Sequence, residues 1–130
     1  MYSTTTDKVT VFVEPTYLLH ESEPDQNIYV WAYKVRIENN GPDELKLKTR
    51  HWKITDAYGR VQEVHGSGVV GEQPVLKPGD SYEYTSGTPL STPNGIMVGS
   101  YAMQMTDGTV VDVAIPAFSL HTPDMAKKTH

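Results

Sequence analysis

The chain is dominated by a two-residue alternation of apolar and polar positions. "KVTVFVEP" carries Val9, Val11 and Val13 at every second place. "NIYVWAYKVRIEN" puts Tyr29, Trp31, Tyr33, Val35 and Ile37 on one face and Lys34, Arg36 and Glu38 on the other. "GSYAMQMTD" does the same with Tyr101, Met103 and Met105, "TVVDVAIP" with Val111, Val113 and Ile115, and "SYEYTSG" with Tyr82 and Tyr84. A period of two is that of a strand with one buried face, and Val, Ile, Tyr and Trp suit a pleated surface. The 3.6-residue period of an amphipathic helix is nearly absent.

Turn chemistry separates these runs. Asp107-Gly108 between two alternating runs predicts a two-residue type I′ hairpin. "TDAYGR" predicts a longer hairpin loop with Gly59 left-handed, and "NNGPDE" and "KPGD" are loops built on Gly and Pro. One run breaks its own parity. In "LKLKTRHWKI", Leu45 and Leu47 share one parity while Trp52 and Ile54 share the other. A flat strand cannot send both pairs inward, so a β-bulge near Thr49 to His51 is expected, which makes Arg50 and His51 candidates for re-aimed side chains. About seven short strands without helices predict an all-β antiparallel β-sandwich of immunoglobulin-like form, with a barrel as the competing architecture. The 130 residues fit a single domain, 1–130. Residues 1–7 and 125–130 lack periodicity and are expected to be frayed tails.

Composition narrows the chemistry. The absence of cysteine excludes disulfides, thiolate metal sites and a cysteine nucleophile, and suits a reducing, cytoplasmic location. No stretch reads as a signal peptide or approaches the roughly 20 apolar residues that span a bilayer. With a net charge of −5 and eleven scattered Lys and Arg, a nucleic-acid partner and membrane insertion are not expected. "LKLK" is the solvent face of a strand.

"VHGSGVVGEQP" holds Gly66, Gly68 and Gly71 in a G-x-G-x-x-G array. A dinucleotide fingerprint needs a helix to begin after the glycines. Here Pro74 and Pro78 forbid one, and no Gly-Lys-Ser/Thr follows for a phosphate-binding loop. Two uses of the array remain. The glycines solve a backbone problem of positive φ or close approach. Alternatively, their N–H groups face an anion, with Arg50, Arg60 or His65 supplying charge. The apolar Val64, Val69 and Val70 favour a loop packed on the body of the fold.

"RHWKITDAYGRVQEVHGSGVVGEQPVLKPGDSYEYTSG" strongly resembles the core of the bacterial ApaG family, and "GSGVVGEQP" followed by "YEYTSG" is its most specific block. The similarity runs back through "YVWAYKVRIENNG" and forward through "TPNGIMVGSYAMQ" and "VDVAIPAFSL", covering residues 8 to 124. It implies a fibronectin type III-like sandwich and a link to cobalt and magnesium efflux, with no enzymatic activity. It implies interaction modules in related eukaryotic proteins, and a phosphate-bearing ligand for the array at Gly66, Gly68 and Gly71. A sandwich of this size cannot itself carry ions across a membrane.

The remaining constellations are weaker. His20, His51, His65, His121 and His130 show no compact ligand spacing, so no metal site or other cofactor is expected. His51 and His65 could nonetheless face each other across paired strands near Glu63. No nucleophile elbow exists, and Glu21/Glu23 and Asp43/Glu44 lie in loops, so no catalytic residues are expected. "YTSGTPLSTPNG" predicts a surface crossover loop suited to recognition. Trp31, Trp52, Tyr82 and Tyr84 are expected in the core. The expectation is a non-enzymatic monomer or weak homodimer acting through an unknown protein partner. The alternative is a sensor or hydrolase of a nucleotide or dinucleotide.

Overall fold

A computed structural model describes residues 1–123. Nine strands occur among them: Tyr2–Thr6 (β1), Val9–Tyr17 (β2), Tyr29–Asn39 (β3), Leu45–Asp56 (β4), Val61–Ser67 (β5), Val75–Leu76 (β6), Ser81–Leu90 (β7), Asn94–Met105 (β8) and Val110–His121 (β9). Two single-turn 3-10 helices, Leu19–Glu21 and Pro24–Gln26, bridge β2 to β3. One sheet runs β1-β2-β3-β7, the other β5-β4-β8-β9 with β6 also pairing β4, and all pairings are antiparallel. The fold is the expected β-sandwich, with nine strands in place of about seven.

The alternation places the core where the sequence put it. Val9, Val11 and Val13, the β3 set from Trp31 to Ile37, and Tyr101, Met103, Val113 and Ile115 are all buried between the sheets. Tyr33, Trp52 and Phe118 meet there in tilted and edge-to-face contacts at 5.3–6.1 Å, the arrangement that ring quadrupoles favour. Tyr84 of one sheet hydrogen-bonds Tyr101 of the other, hydroxyl to hydroxyl. Burial pushes both phenols above their ordinary pKa, so both stay neutral at any physiological pH.

Three expectations need correction. Residues 2–6, expected to be frayed, form the edge strand β1. Tyr2 packs against Phe118 at 5.9 Å, and the Ala114 N–H donates to Thr6 Oγ1 at 3.2 Å, so β1 closes one flank of the sandwich against β9. The tail expected over 125–130 lies outside the described residues. The stretch expected as a crossover loop is mostly β7, whose inward places include Ser86 and Thr88; polar residues there hid the alternation. Asp107-Gly108 is not a type I′ turn. Gly108 has φ +91, but Asp107 keeps a negative φ, and Met105 and Thr109 close a three-residue loop. Asp56 and Arg60 close the β4–β5 hairpin in the same way around Gly59 at φ +81, a type I turn followed by a left-handed glycine.

The parity break in β4 is resolved by one extra residue, as expected, but at Lys48, just before the expected span of Thr49 to His51. Leu47 pairs with Met103 and Thr49 with Ala102, which leaves Lys48 unpaired to β8. Leu45 and Leu47 before the bulge and Trp52 and Ile54 after it are all buried. The displaced backbone of this bulge anchors the candidate site.

Candidate functional site

The glycine array is the element that occupies the bulge. Strand β5 pairs with β4 up to Ser67–Thr49, and β6 resumes at Val75–Lys46. Between them the chain must leave the ladder, reverse and return beside Lys48. The Gly68 N–H donates to the Lys48 carbonyl at 2.8 Å, Gln73 Nε2 donates to the same oxygen at 2.9 Å, and the Leu47 N–H donates to the Pro74 carbonyl at 2.9 Å. Buried backbone groups must find partners, and here loop and bulge satisfy each other.

Each glycine has its own reason. Gly68 has φ +57, and a Cβ there would lie 2.0 Å from the Glu72 carbonyl oxygen. Gly71 has φ +80 with open space around it. A Cβ on Gly66 would lie 2.6 Å from the Arg50 guanidinium. Val69 and Glu72 exchange both backbone hydrogen bonds, at 2.8 and 2.9 Å, around Val70 (φ +44) and Gly71. Positive φ at both central residues is the condition for a type I′ hairpin, so this turn sits in the array instead of at Asp107-Gly108. Val69 is fully buried, while Val70 is 59% exposed at the tip. A β-branched residue at positive φ is strained.

Arg50 lies on the inward parity of β4 with Trp52 and Ile54. Its Nη1 donates to the carbonyls of Ser67 at 3.1 Å and Gly68 at 2.9 Å. Arg50 therefore meets the array as expected, but on its carbonyl side. Tyr82 Oη donates to Glu72 Oε2 at 2.9 Å, which ties the loop to the opposite sheet. Desolvation and then the adjacent Glu72 carboxylate raise the Tyr82 pKa. Arg60 is placed elsewhere. It binds Asp56 at 2.7 Å in the β4–β5 hairpin, a strand length of about 20 Å from the array at ~3.3 Å per residue.

His65 precedes Gly66 but points away from Arg50, onto the outer face of the five-stranded sheet. It pairs directly with His51, their rings stacked at 4.2 Å with an 18° interplanar angle. Glu63, two residues before His65, shares that face. Its Oε2 lies 4.0 Å from His51 Nε2 and 3.9 Å from His65 Nε2. His51 Nε2 is screened from solvent and has no hydrogen-bond partner among the described residues. His20 sits in the first 3-10 helix, and His121 Nδ1 is 3.3 Å from Asn94 Oδ1 at the start of β8. His130 lies outside the described residues. The roles of Lys48, Gln73, Glu72 and Tyr82 had only one signal in the sequence, the parity break in β4.

The ApaG domain family matches residues 19–105, which contain the bulge, the whole array and the His51–Glu63–His65 face. A Protein ApaG from Parvibaculum lavamentivorans is 57% identical over 130 residues, covering 100% of both chains. A Protein ApaG from Paramagnetospirillum magneticum is 63% identical over 123 residues, covering 95% of both. The crystal structure of an ApaA protein from Bordetella pertussis superposes with a TM-score of 0.85 at 50% identity, covering 88% of this chain and 94% of the other. The sandwich, the glycine loop seated on its bulge and these full-length similarities lead to one conclusion: the chain belongs to the ApaG family.

Proposed function

We propose that this chain is a non-enzymatic, cytoplasmic binding module, a monomer or weak homodimer, that serves cobalt and magnesium efflux and divalent-cation homeostasis through contact with a protein partner. The observation that carries the reading is Val70. The loop around it is rigid, held by Gly68, Gln73, Arg50 and Tyr82. At its tip an apolar β-branched side chain is exposed at φ +44, where Asn or Gly would be unstrained. Backbone strain combined with an exposed apolar side chain is costly to the fold, and such costs concentrate at recognition sites. The rival reading is a phosphate-bearing ligand on the array. It is disfavoured because the N–H groups of Gly68, Val69 and Glu72 are already spent on Lys48 and on each other.

The test uses a host strain lacking the chain. Wild-type protein should alter cobalt tolerance, and Val70→Asn should fold at least as stably yet fail to complement. Full complementation by Val70→Asn would remove the loop tip from the contact, and no effect of the wild type on cobalt tolerance would remove the efflux role. A thermal-shift screen of nucleotides and dinucleotides separates the rival, since a ligand at 100 times its Kd adds about 2.7 kcal/mol. A flat screen supports the protein-partner reading. A clear shift abolished by Arg50→Ala overturns it.

A further inference from the structure

We propose that His51, Glu63 and His65 form a binding site for one divalent transition-metal ion on the outer face of the five-stranded sheet. The strand geometry assembles it. Residues two apart on β5 project from one face, so Glu63 and His65 stand side by side. The register then sets His51 of β4 directly opposite His65. Two neighbours on one strand and the facing residue of the next give three donors that converge from one side and leave the other side open to water. The donor atoms all lie within 4.8 Å of one another. Two ligands on a tetrahedral ion with bonds of about 2.0–2.1 Å sit about 3.3–3.4 Å apart. The nitrogen-to-carboxylate separations of 3.9 and 4.0 Å exceed that by about 0.6 Å, and the stacked rings, 4.2 Å apart at 18°, must part so that both Nε2 lone pairs point at one ion. His65, with its side chain 70% exposed, is free to make that swing.

His51 carries the second observation. Its Nε2 has lost solvent and gained no hydrogen-bond partner, although it lies in the space the other two donors face. Burying a polar atom without a partner is unfavourable, and a bound cation would supply the missing one. Ser100, across from His51 on β8, makes no hydrogen bond to its Nε2, and Lys53, opposite Glu63 in register, forms no ion pair with that carboxylate among the described residues. The donor set fixes the class of ion. Two imidazoles and a carboxylate suit zinc, nickel, copper or cobalt, whereas magnesium and calcium want oxygen ligands. The site stands on coordination chemistry and does not depend on the proposed role of Val70.

The experiment is a zinc titration of the full chain against a chromogenic chelator, with imidazole nitrogen NMR at saturation. The expected result is one zinc ion per chain, with the Nε2 resonances of both His51 and His65 moved to ligated positions. His65→Ala and His51→Ala should each weaken zinc binding at least about tenfold, His121→Ala should leave it unchanged, and millimolar magnesium should not displace it. Because His65 is exposed, His65→Ala should keep the wild-type unfolding midpoint, so a loss of zinc cannot be charged to misfolding. Zinc affinity retained in His65→Ala overturns the proposal. So do unshifted His51 and His65 resonances at saturating zinc, which would leave the stacked pair as a cross-strand packing contact.

Discussion

Replacing Gly68 by alanine should cost far more than replacing Gly71, although both glycines have positive φ. At Gly71 the new methyl meets nothing within 4 Å, so only the left-handed backbone is penalised, by about 1 kcal/mol. At Gly68 the same strain applies at φ +57, and the Cβ would also stand 2.0 Å from the Glu72 carbonyl oxygen, where 3.4 Å or more is an ordinary contact. That oxygen belongs to backbone and cannot swing aside. The hairpin must open, and the reciprocal Val69–Glu72 pair is lost, at about 1 kcal/mol net per hydrogen bond. The total is about 3–4 kcal/mol. Unfolding entropy of about 2.1 cal/mol/K per residue over 130 residues converts about 3 kcal/mol into a Tm loss of about 11 °C, against about 4 °C for Gly71→Ala. Gly66→Ala should fall near the smaller value, because the atom in its way is the end of the flexible Arg50 side chain. Buried Trp31 and Trp52 report unfolding by fluorescence, in heat or in urea. Equal losses at Gly68 and Gly71, or a larger one at Gly71, would refute the account of the array as a fitted plug for the bulge.

Val70→Asn should stabilise the domain by about 0.5–1 kcal/mol, read as a higher urea midpoint at constant slope, because Asn tolerates positive φ and Val does not. Tyr84→Phe and Tyr101→Phe should each cost about 1–3 kcal/mol by stranding a buried hydroxyl, while the double variant costs less than their sum; a double-mutant cycle with purely additive losses would contradict the pairing. Asp56 carries a pH signature. Partial desolvation raises its pKa, but hydrogen bonds from the Arg60 and Tyr58 N–H groups and the Arg60 guanidinium outweigh that and set it below 3.8. A carboxyl with a depressed folded pKa contributes stability that is full above its unfolded value and is lost as pH falls through the folded one. Asp56→Asn should therefore destabilise at pH 7, with the difference from wild type shrinking below about pH 4. A difference that persists at pH 2 would mean that the carboxylate charge is not its source.

The sequence by itself determined the fold class, most of the core and the need for a bulge. The alternation in β3 left no doubt about which face Trp31, Tyr33, Val35 and Ile37 bury, because a strand has only two faces. Leu45 and Leu47 against Trp52 and Ile54 demanded one extra residue between them, and Pro74 and Pro78 excluded a nucleotide-type helix after the glycines. Local pattern could not choose among equivalent solutions. The pattern pointed to Thr49 to His51 for the extra residue, but parity is equally met one place earlier; pairing with β8, and a loop able to satisfy the Lys48 carbonyl, selected Lys48. Asp-Gly is compatible with two-residue and three-residue hairpins, and the register of β8 on β9 chose the longer. Strand β1 and the inward Ser86 and Thr88 of β7 carry too few apolar residues to announce themselves, and are strands because a neighbouring edge offers them hydrogen bonds. For the candidate sites, the glycines and the likeness of parity between Glu63 and His65 were legible. That Arg50 rests on Gly66 depended on the register of β4 against β5, and the same register decided the pairing of His51 with His65, which the pattern had offered without fixing. A shift of one residue would exchange the faces and dissolve both arrangements; the three-residue loop at Asp56–Arg60, the packing of Trp52 and Ile54, and the bonds from Gly68 to Lys48 and from Arg50 to Ser67 and Gly68 hold that register in place.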